Sequence, residues 1–193
     1  PSENELKQMF IGIHRRNFFA ASIGLLLALA PWTLFARVFT TQDEALSHAF
    51  PDANIKRETI FLTNEQIERV KKQKGIMLRT AMVVVYKAFR GGRKIGTAYF
   101  DAHQVRTLPE TVMIVIDHEN RIRSIDVLEF KEPEDYLPRR KWYKQFFGRK
   151  LDHELAIGRG IDGVTGATLT VRATIKAARR VLSIHSILSS QRS

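Results

Sequence analysis

From Asn17 to Ala36 the chain runs NFFAASIGLLLALAPWTLFA, twenty residues without a charged side chain. A helix of that length spans about 30 Å, the hydrocarbon thickness of a bilayer, and no polar stripe interrupts it. The run therefore predicts a single transmembrane helix. Pro31 is tolerated within a membrane helix, and Trp32 lies near the far end, where indoles favour the interface. Lys7, Arg15 and Arg16 precede the run, whereas only Arg37 appears after it before Lys56. This asymmetry predicts a cytoplasmic N-terminus and a translocated remainder: in a bacterium, an inner-membrane protein with a periplasmic domain. Two rival readings use the same residues. Ala28-Leu29-Ala30 resembles a signal-peptide cleavage site, although Pro31 would then be a poor first mature residue. His14-Arg15-Arg16-Asn17-Phe18-Phe19 looks like a twin-arginine export signal. With an uncleaved anchor the chain divides into a tail at 1–16, the anchor at 17–38, a helical connecting segment at 40–78 and a globular domain at 79–193.

Beyond the anchor about 150 residues remain, enough to bury a real core. Within it the hydrophobic period changes. Asp43 to Phe50 reads as a short helix stopped by Pro51, and Thr63 to Gln66 as a capping box opening a second helix. Glu65–Arg69 and Glu68–Lys72 are i,i+4 pairs on its wet face. Ala81–Phe89 and Lys94–Phe100 read as strands joined by Arg90-Gly91-Gly92-Arg93. Thr111–Ile116 and Ile122–Phe130 form a second hairpin, rich in β-branched residues. Val171 to Leu188 completes the chain as an amphipathic helix, with Val171, Ile175, Ala178, Leu182 and His185 on one face. Antiparallel hairpins flanked by helices make an α+β domain.

The chain has no cysteine. That excludes disulfides, thiolate zinc, cysteine-held iron–sulfur clusters and c-type haem attachment. The six histidines show no ligand-like spacing, so no metal site is assigned, and no Ser-His-Asp pattern marks a catalytic residue. Thirty-one Lys and Arg against 20 Asp and Glu leave a net charge of +11, which favours acidic partners. Arg139 to Lys144 (RRKWYK) interleaves cations with aromatics, as single-strand binders do. An amphipathic helix packing Trp142 and Phe146 on the sheet explains it better, and a location outside the cytoplasm argues against nucleic acid.

One stretch carries chemistry: Asp162-Gly163-Val164-Thr165-Gly166-Ala167-Thr168-Leu169-Thr170. It is a loop of small and hydroxyl residues opening onto the last helix. Free N–H groups and the helix dipole suit it to a phosphate. The plain alternative is an ordinary N-cap made by Thr165 or Thr168. Asp-x-x-Thr-Gly-Ala-Thr resembles the flavinylation motif of the FMN-binding domain family. Ile95-Gly96-Thr97-Ala98-Tyr99, Asn120-Arg121-Ile122 and Trp142 to Arg149 (WYKQFFGR) are similar to further family segments. The resemblance thus covers about Arg79 to Leu182. Family members occur in periplasmic subunits of sodium-pumping NADH:quinone oxidoreductase and of ferredoxin:NAD oxidoreductase complexes.

The resemblance implies covalent FMN, joined by a flavin transferase through a phosphoester to Thr168. Asp162, Gly163, Thr165, Gly166, Ala167 and Thr170 complete the binding loop, and Asp162 serves transferase recognition. Lys131-Glu132-Pro133-Glu134-Asp135-Tyr136 departs from the Glu-Thr-Pro-Gly common in the family, so the wall facing the flavin differs; Tyr136 and Trp142 are weaker candidates for stacking. Arg159 and Arg172 near the motif could help offset the phosphate or be solvated surface, and surface is the plainer reading. The implied function is electron transfer within a larger complex, with other subunits, quinone-linked or cytochrome, as partners. The alternative is a non-redox assembly or sensory subunit using the same domain.

Overall fold

The computed structural model describes residues 37–72, 76, 78 and 80–190. The tail and the uncharged run up to Ala36 lie outside the described residues. Among the described residues no helix is long and apolar enough to cross a membrane. Arg37 and Val38, which the sequence reading assigned to the anchor's end, form a two-residue strand, β1, paired with Phe130 and Glu129.

Thr41 opens α1 (Gln42–Ala49) with a capping box: its hydroxyl accepts the Glu44 N–H at 3.3 Å, and the Glu44 carboxylate accepts the Thr41 N–H at 2.8 Å. Thr63 and Gln66 make the expected box at α2 (Asn64–Lys71). Between these helices lies β2 (Asn54–Phe61), so the segment 40–78 is not purely helical. The strand pairs with β3 (Met82–Arg90) from Asn54↔Phe89 to Phe61↔Met82. Its side chains are never more than half-buried, and Lys56-Arg57-Glu58 interrupt any apolar alternation. Charged residues are a common protection for a sheet edge, and here they hide the strand from a sequence reading. On α2, Glu68 pairs with Lys71 at 2.8 Å and not with the expected Lys72.

The two predicted hairpins form. β3 turns at Gly91-Gly92 into β4 (Arg93–Gln104), and β5 (Pro109–Ile116) turns into β6 (Ile122–Phe130). In the second turn Asp117 Oδ1 accepts the N–H groups of Glu119 and Arg121 at 2.8 and 2.9 Å. The sheet is antiparallel throughout, in the order β1-β6-β5-β4-β3-β2.

Both faces of the sheet are covered, which explains the unbroken apolar run of β5. Val112, Ile114 and Ile116 join the larger core under the last helix, whereas Met113 and Val115 join a smaller core with Leu46 and Phe50 at α1. Gly96 permits this smaller core to close: a Cβ there would stand 2.8 Å from the Phe50 ring and 3.0 Å from the Ile116 carbonyl oxygen.

After β6 come a 3-10 turn (Glu134–Tyr136), α3 (Arg140–Tyr143) and a second 3-10 turn (Lys144–Phe146). Trp142 and Phe146 are buried against each other and the sheet, their rings 5.3 Å apart. The last helix, α4 (Thr168–Ser189), buries the predicted face of Val171, Ile175, Ala178, Leu182 and His185. The described domain is α+β.

Candidate functional site

Three side chains from one segment hold the loop that leads into α4. The Trp142 indole N–H donates to the Asp162 carbonyl at 2.8 Å, and Gln145 Oε1 accepts the Asp162 N–H at 2.9 Å. Arg149 Nη2 donates to the Gly160 carbonyl at 2.7 Å. Leu155 and Ile161 are fully buried and pin the loop to the core. Both backbone groups of Asp162 are thus fixed, while its carboxylate stays exposed. Trp142 is a scaffold of the motif. At 7% exposure, with Tyr143 and Phe146 edge-on to its ring, it offers no open face for stacking.

The motif then turns. The Ala167 N–H donates to the Val164 carbonyl at 3.1 Å, and Gly166 sits at φ +83°, a left-handed conformation that side chains other than glycine's disfavour. Val164 packs on the core; Gly163, Thr165 and Gly166 are exposed. Ala167 is the N-cap and has no side-chain acceptor to offer. This overturns the alternative in which Thr165 or Thr168 caps the helix. No acidic residue stands in the first turn either, in contrast to α1 and α2. The N-terminal N–H groups therefore remain without a protein anion, and the positive end of the dipole is open.

Thr168, the first residue of α4, is exposed, and no hydrogen bond engages its hydroxyl among the described residues. Thr170 differs: it is fully buried, and its hydroxyl donates to the Tyr136 carbonyl at 2.5 Å. The two threonines of Thr168-Leu169-Thr170 thus have separate duties, one free and one structural. Beside them lies a cavity of about 130 Å³ lined by Val105, Arg106, Tyr136, Gly166, Ala167, Leu169 and Thr170. Tyr136 is half-buried and forms part of its wall, and Leu169 is an exposed apolar neighbour at 46%. Arg159 donates to the His153 carbonyl at 3.3 Å, and Arg172 is exposed one turn along α4.

The loop between β4 and β5 closes the cavity's other side. The Val105 N–H donates to the Leu108 carbonyl at 3.1 Å. Glu132 Oε1 accepts the backbone N–H groups of Arg106, Thr107 and Leu108 at 3.3, 2.6 and 2.7 Å, and the Thr107 hydroxyl at 3.2 Å. Burial works against the Glu132 charge, but the N–H groups of Leu108 and Thr107 outweigh it and lower the carboxyl pKa. Glu132 therefore anchors this loop from the segment where the family's glycines are missing. Sequence reading missed Glu132 and Arg106, because they are far apart in sequence and belong to no local motif.

A buried charged chain ties the same sheet end to the helices. His103 Nδ1 faces Asp101 Oδ1 at 3.0 Å and its Nε2 faces Glu110 Oε2 at 3.0 Å. Both nitrogens donate only in the imidazolium form. Arg180 of α4 grips Asp101 with two bonds of 2.8 and 2.6 Å, and the Tyr143 hydroxyl donates to Glu110 at 3.4 Å. Burial disfavours charge on His103, yet bonds to Asp101 and Glu110 raise its pKa. Burial pushes Asp101 up, but His103 and Arg180 outweigh it and hold its pKa at about 2. Burial and then the Glu110 charge raise Tyr143.

Residues 108–183 match the family model of the FMN-binding domain. Among solved structures it is similar to NqrC from Shewanella oneidensis, at 13% identity and a TM-score of 0.50, over 76% of this chain and 88% of that one. At this identity the likeness speaks for the fold. No curated protein matches the chain significantly. The FMN-binding domain model starts beside the Glu132-anchored loop and runs along α4 to Ser183, so it includes every residue of the motif.

The residues present fit FMN. An uncapped helix start with free N–H groups suits a phosphate, and a free hydroxyl stands on its first residue. The cavity is smaller than the roughly 300 Å³ at which sites begin to enclose small molecules, so it would not enclose a flavin ring.

Proposed function

We propose that this chain is a membrane-anchored electron-transfer flavoprotein, with FMN joined by a phosphoester to Thr168. The observation that carries the reading is the Thr168 hydroxyl: exposed, with no hydrogen-bond partner among the described residues, on an uncapped helix N-terminus within the stretch that matches the FMN-binding domain model. FMN supplies one- and two-electron transfer when bound. The protein's own residues hold and orient it. The N–H groups of the first α4 turn offset the phosphate charge. Gly166 keeps side chains clear of the turn, and Trp142, Gln145 and Arg149 fix the approach. A tether that leaves the redox ring untouched prevents loss of a cofactor from a compartment where recapture is difficult.

The uncharged run from Asn17 to Ala36 supports a single-pass anchor with a cytoplasmic N-terminus and the domain on the periplasmic face. The family resemblance, together with the fold shared with NqrC, supports a place among the subunits of a multi-subunit redox complex, with a flavin transferase for maturation. A net charge of +11 favours an acidic docking face on the partner.

Intact-protein mass spectrometry of the full chain from its native membrane tests the reading. The expected result is one added FMN phosphoester, absent from Thr168→Val. An unmodified native mass would overturn covalent attachment. Electron flow that survives flavin loss in an assembled complex would overturn the redox role in favour of an assembly subunit.

A further inference from the structure

The β3–β4 ladder is shorter than the strands that form it. Its pairs run from Arg90↔Arg93 to Tyr86↔Ala98 and stop there. Beyond that point β3 stays paired to β2 as far as Met82, and β4 to β5 as far as Gln104. The sheet therefore splits between residues 82–85 and residues 99–104. A cavity of about 430 Å³ lies in the split, lined by residues 82–84 on one side and 99–102 on the other.

The register shows which backbone groups face this split. The Leu62 N–H donates to the Ala81 carbonyl at 2.9 Å, so Phe61 and Met82 are a non-hydrogen-bonded pair, and Val83 and Val85 bond β2. Val84 turns its N–H and carbonyl the other way. On β4 the Val105 N–H donates to the Leu108 carbonyl at 3.1 Å, so Asp101 and His103 bond β5, and Phe100 and Ala102 face the split. Both edges thus present backbone groups at alternate residues, and a strand edge left in this way is a template for another strand. An extended peptide backbone carries the same groups at the same period on both its sides; a ligand without that repeat leaves some of them unmatched.

The flanks select the side chains of such a strand. On the α4 side stand Val83, Val181 and Ile184, all in the larger core. Asp101 is there too, but His103 and Arg180 already bond its carboxylate. On the opposite side Arg57 stands next to Tyr86, its partner across the β2–β3 ladder. Arg57 is exposed, and no hydrogen bond or ion pair engages it among the described residues. The unmatched charge on the cavity wall is therefore positive.

We propose that the split between β3 and β4 takes up a short extended segment of a partner protein as an added strand. Its apolar residues turn to Val181 and Ile184, and acidic residues alternating with them turn to Arg57. The proposal does not depend on FMN attachment.

The test uses the full chain in detergent and the synthetic hexapeptide acetyl-Glu-Val-Glu-Val-Glu-Val-amide, with affinity from calorimetry and location from amide hydrogen exchange. The peptide should bind saturably and slow exchange at Val84, Phe100 and Ala102. Binding should weaken at least about tenfold for the block sequence Glu-Glu-Glu-Val-Val-Val, and as much for the alternating peptide N-methylated at every second amide, which lacks the paired donors. Arg57→Glu, an exposed change, should weaken it by a similar factor. Ala102→Pro should do the same by removing an N–H that β5 does not use, and if that variant melts early, Arg57→Glu and the N-methylated peptide decide. No saturable binding up to about 1 mM would overturn the proposal. Equal binding of the N-methylated peptide would overturn strand addition. Protection of the same amides that rises with chain concentration, without peptide, would assign the split to a second copy of this chain and overturn the proposal as well.

Discussion

The two halves of α4 treat polar groups in opposite ways. From Thr170 onwards the helix satisfies its buried partners. Thr174 bonds the Thr170 carbonyl at 2.9 Å, Arg180 grips Asp101, and His185 lies between the Tyr99 hydroxyl at 2.8 Å and Asn120 Oδ1 at 3.0 Å. Among the described residues Ser183 is the exception, its hydroxyl buried with no hydrogen-bond partner. At the first turn the rule reverses: Ala167 cannot cap, no acid offsets the dipole, and the Thr168 hydroxyl is exposed. The helices α1 and α2 show that this chain builds capping boxes elsewhere. The bare start of α4 therefore reads as a place kept for a ligand's oxygens, whereas the rest of the helix serves the fold.

The largest effect should come from the paired half. Asp101→Ala leaves Arg180 and His103 without their shared carboxylate and should cost about 3–5 kcal/mol in chemical denaturation at neutral pH. A loss below about 1 kcal/mol would mean the network is not needed for stability.

The two buried histidines should next give opposite pH limbs. His185 has its pKa lowered to about 4, first by burial and then by Lys94. Its neutral form is the folded one, so its contribution is complete above the ordinary value of about 6.5 and is lost as pH falls towards 4. The shift corresponds to a loss of order 3 kcal/mol. His103 is raised, so its contribution is complete below about 6.5 and fades as pH rises through its folded pKa. Denaturation between pH 4 and 9 should show His185→Gln flattening the acid limb and His103→Gln the alkaline one. Identical profiles for the two variants would break the assignment.

Trp142→Phe keeps an aromatic ring but removes the bond to the Asp162 carbonyl. It should cost about 1–2 kcal/mol and increase hydrogen exchange in the loop before α4. Unchanged exchange there would remove Trp142 from the site's scaffold.

The smallest stability effect should fall on the residue proposed to carry the flavin. Thr168→Val should change folding stability by no more than about 0.5 kcal/mol while abolishing attached flavin. A loss above 1 kcal/mol would assign the hydroxyl a structural bond and dissolve the contrast between the two halves of α4.

Legibility in the sequence followed how local each determinant is. The Thr63-x-x-Gln66 box, the two hairpins and the buried stripe of α4 are short-range patterns, and all formed. The motif itself was legible by resemblance. β2 was not, because three charged residues interrupt it and only pairing with β3 makes it a strand. Trp142 packs inward with Phe146 as the sequence suggests, but the bond of its indole N–H to the Asp162 carbonyl 20 residues on was not legible.

By itself the sequence determined the period of each core element, the uncharged run near its start, and the small-residue loop before the last helix. These are one-dimensional properties, set by which residues recur and at what spacing. The tertiary structure decided that Thr170 is tied to the Tyr136 carbonyl, that the Trp142 indole holds the Asp162 carbonyl, and that Glu132 anchors the loop of Arg106. Those depend on where backbone N–H and carbonyl groups lie once the sheet has closed, and buried polar groups take whichever partners that closure brings within reach.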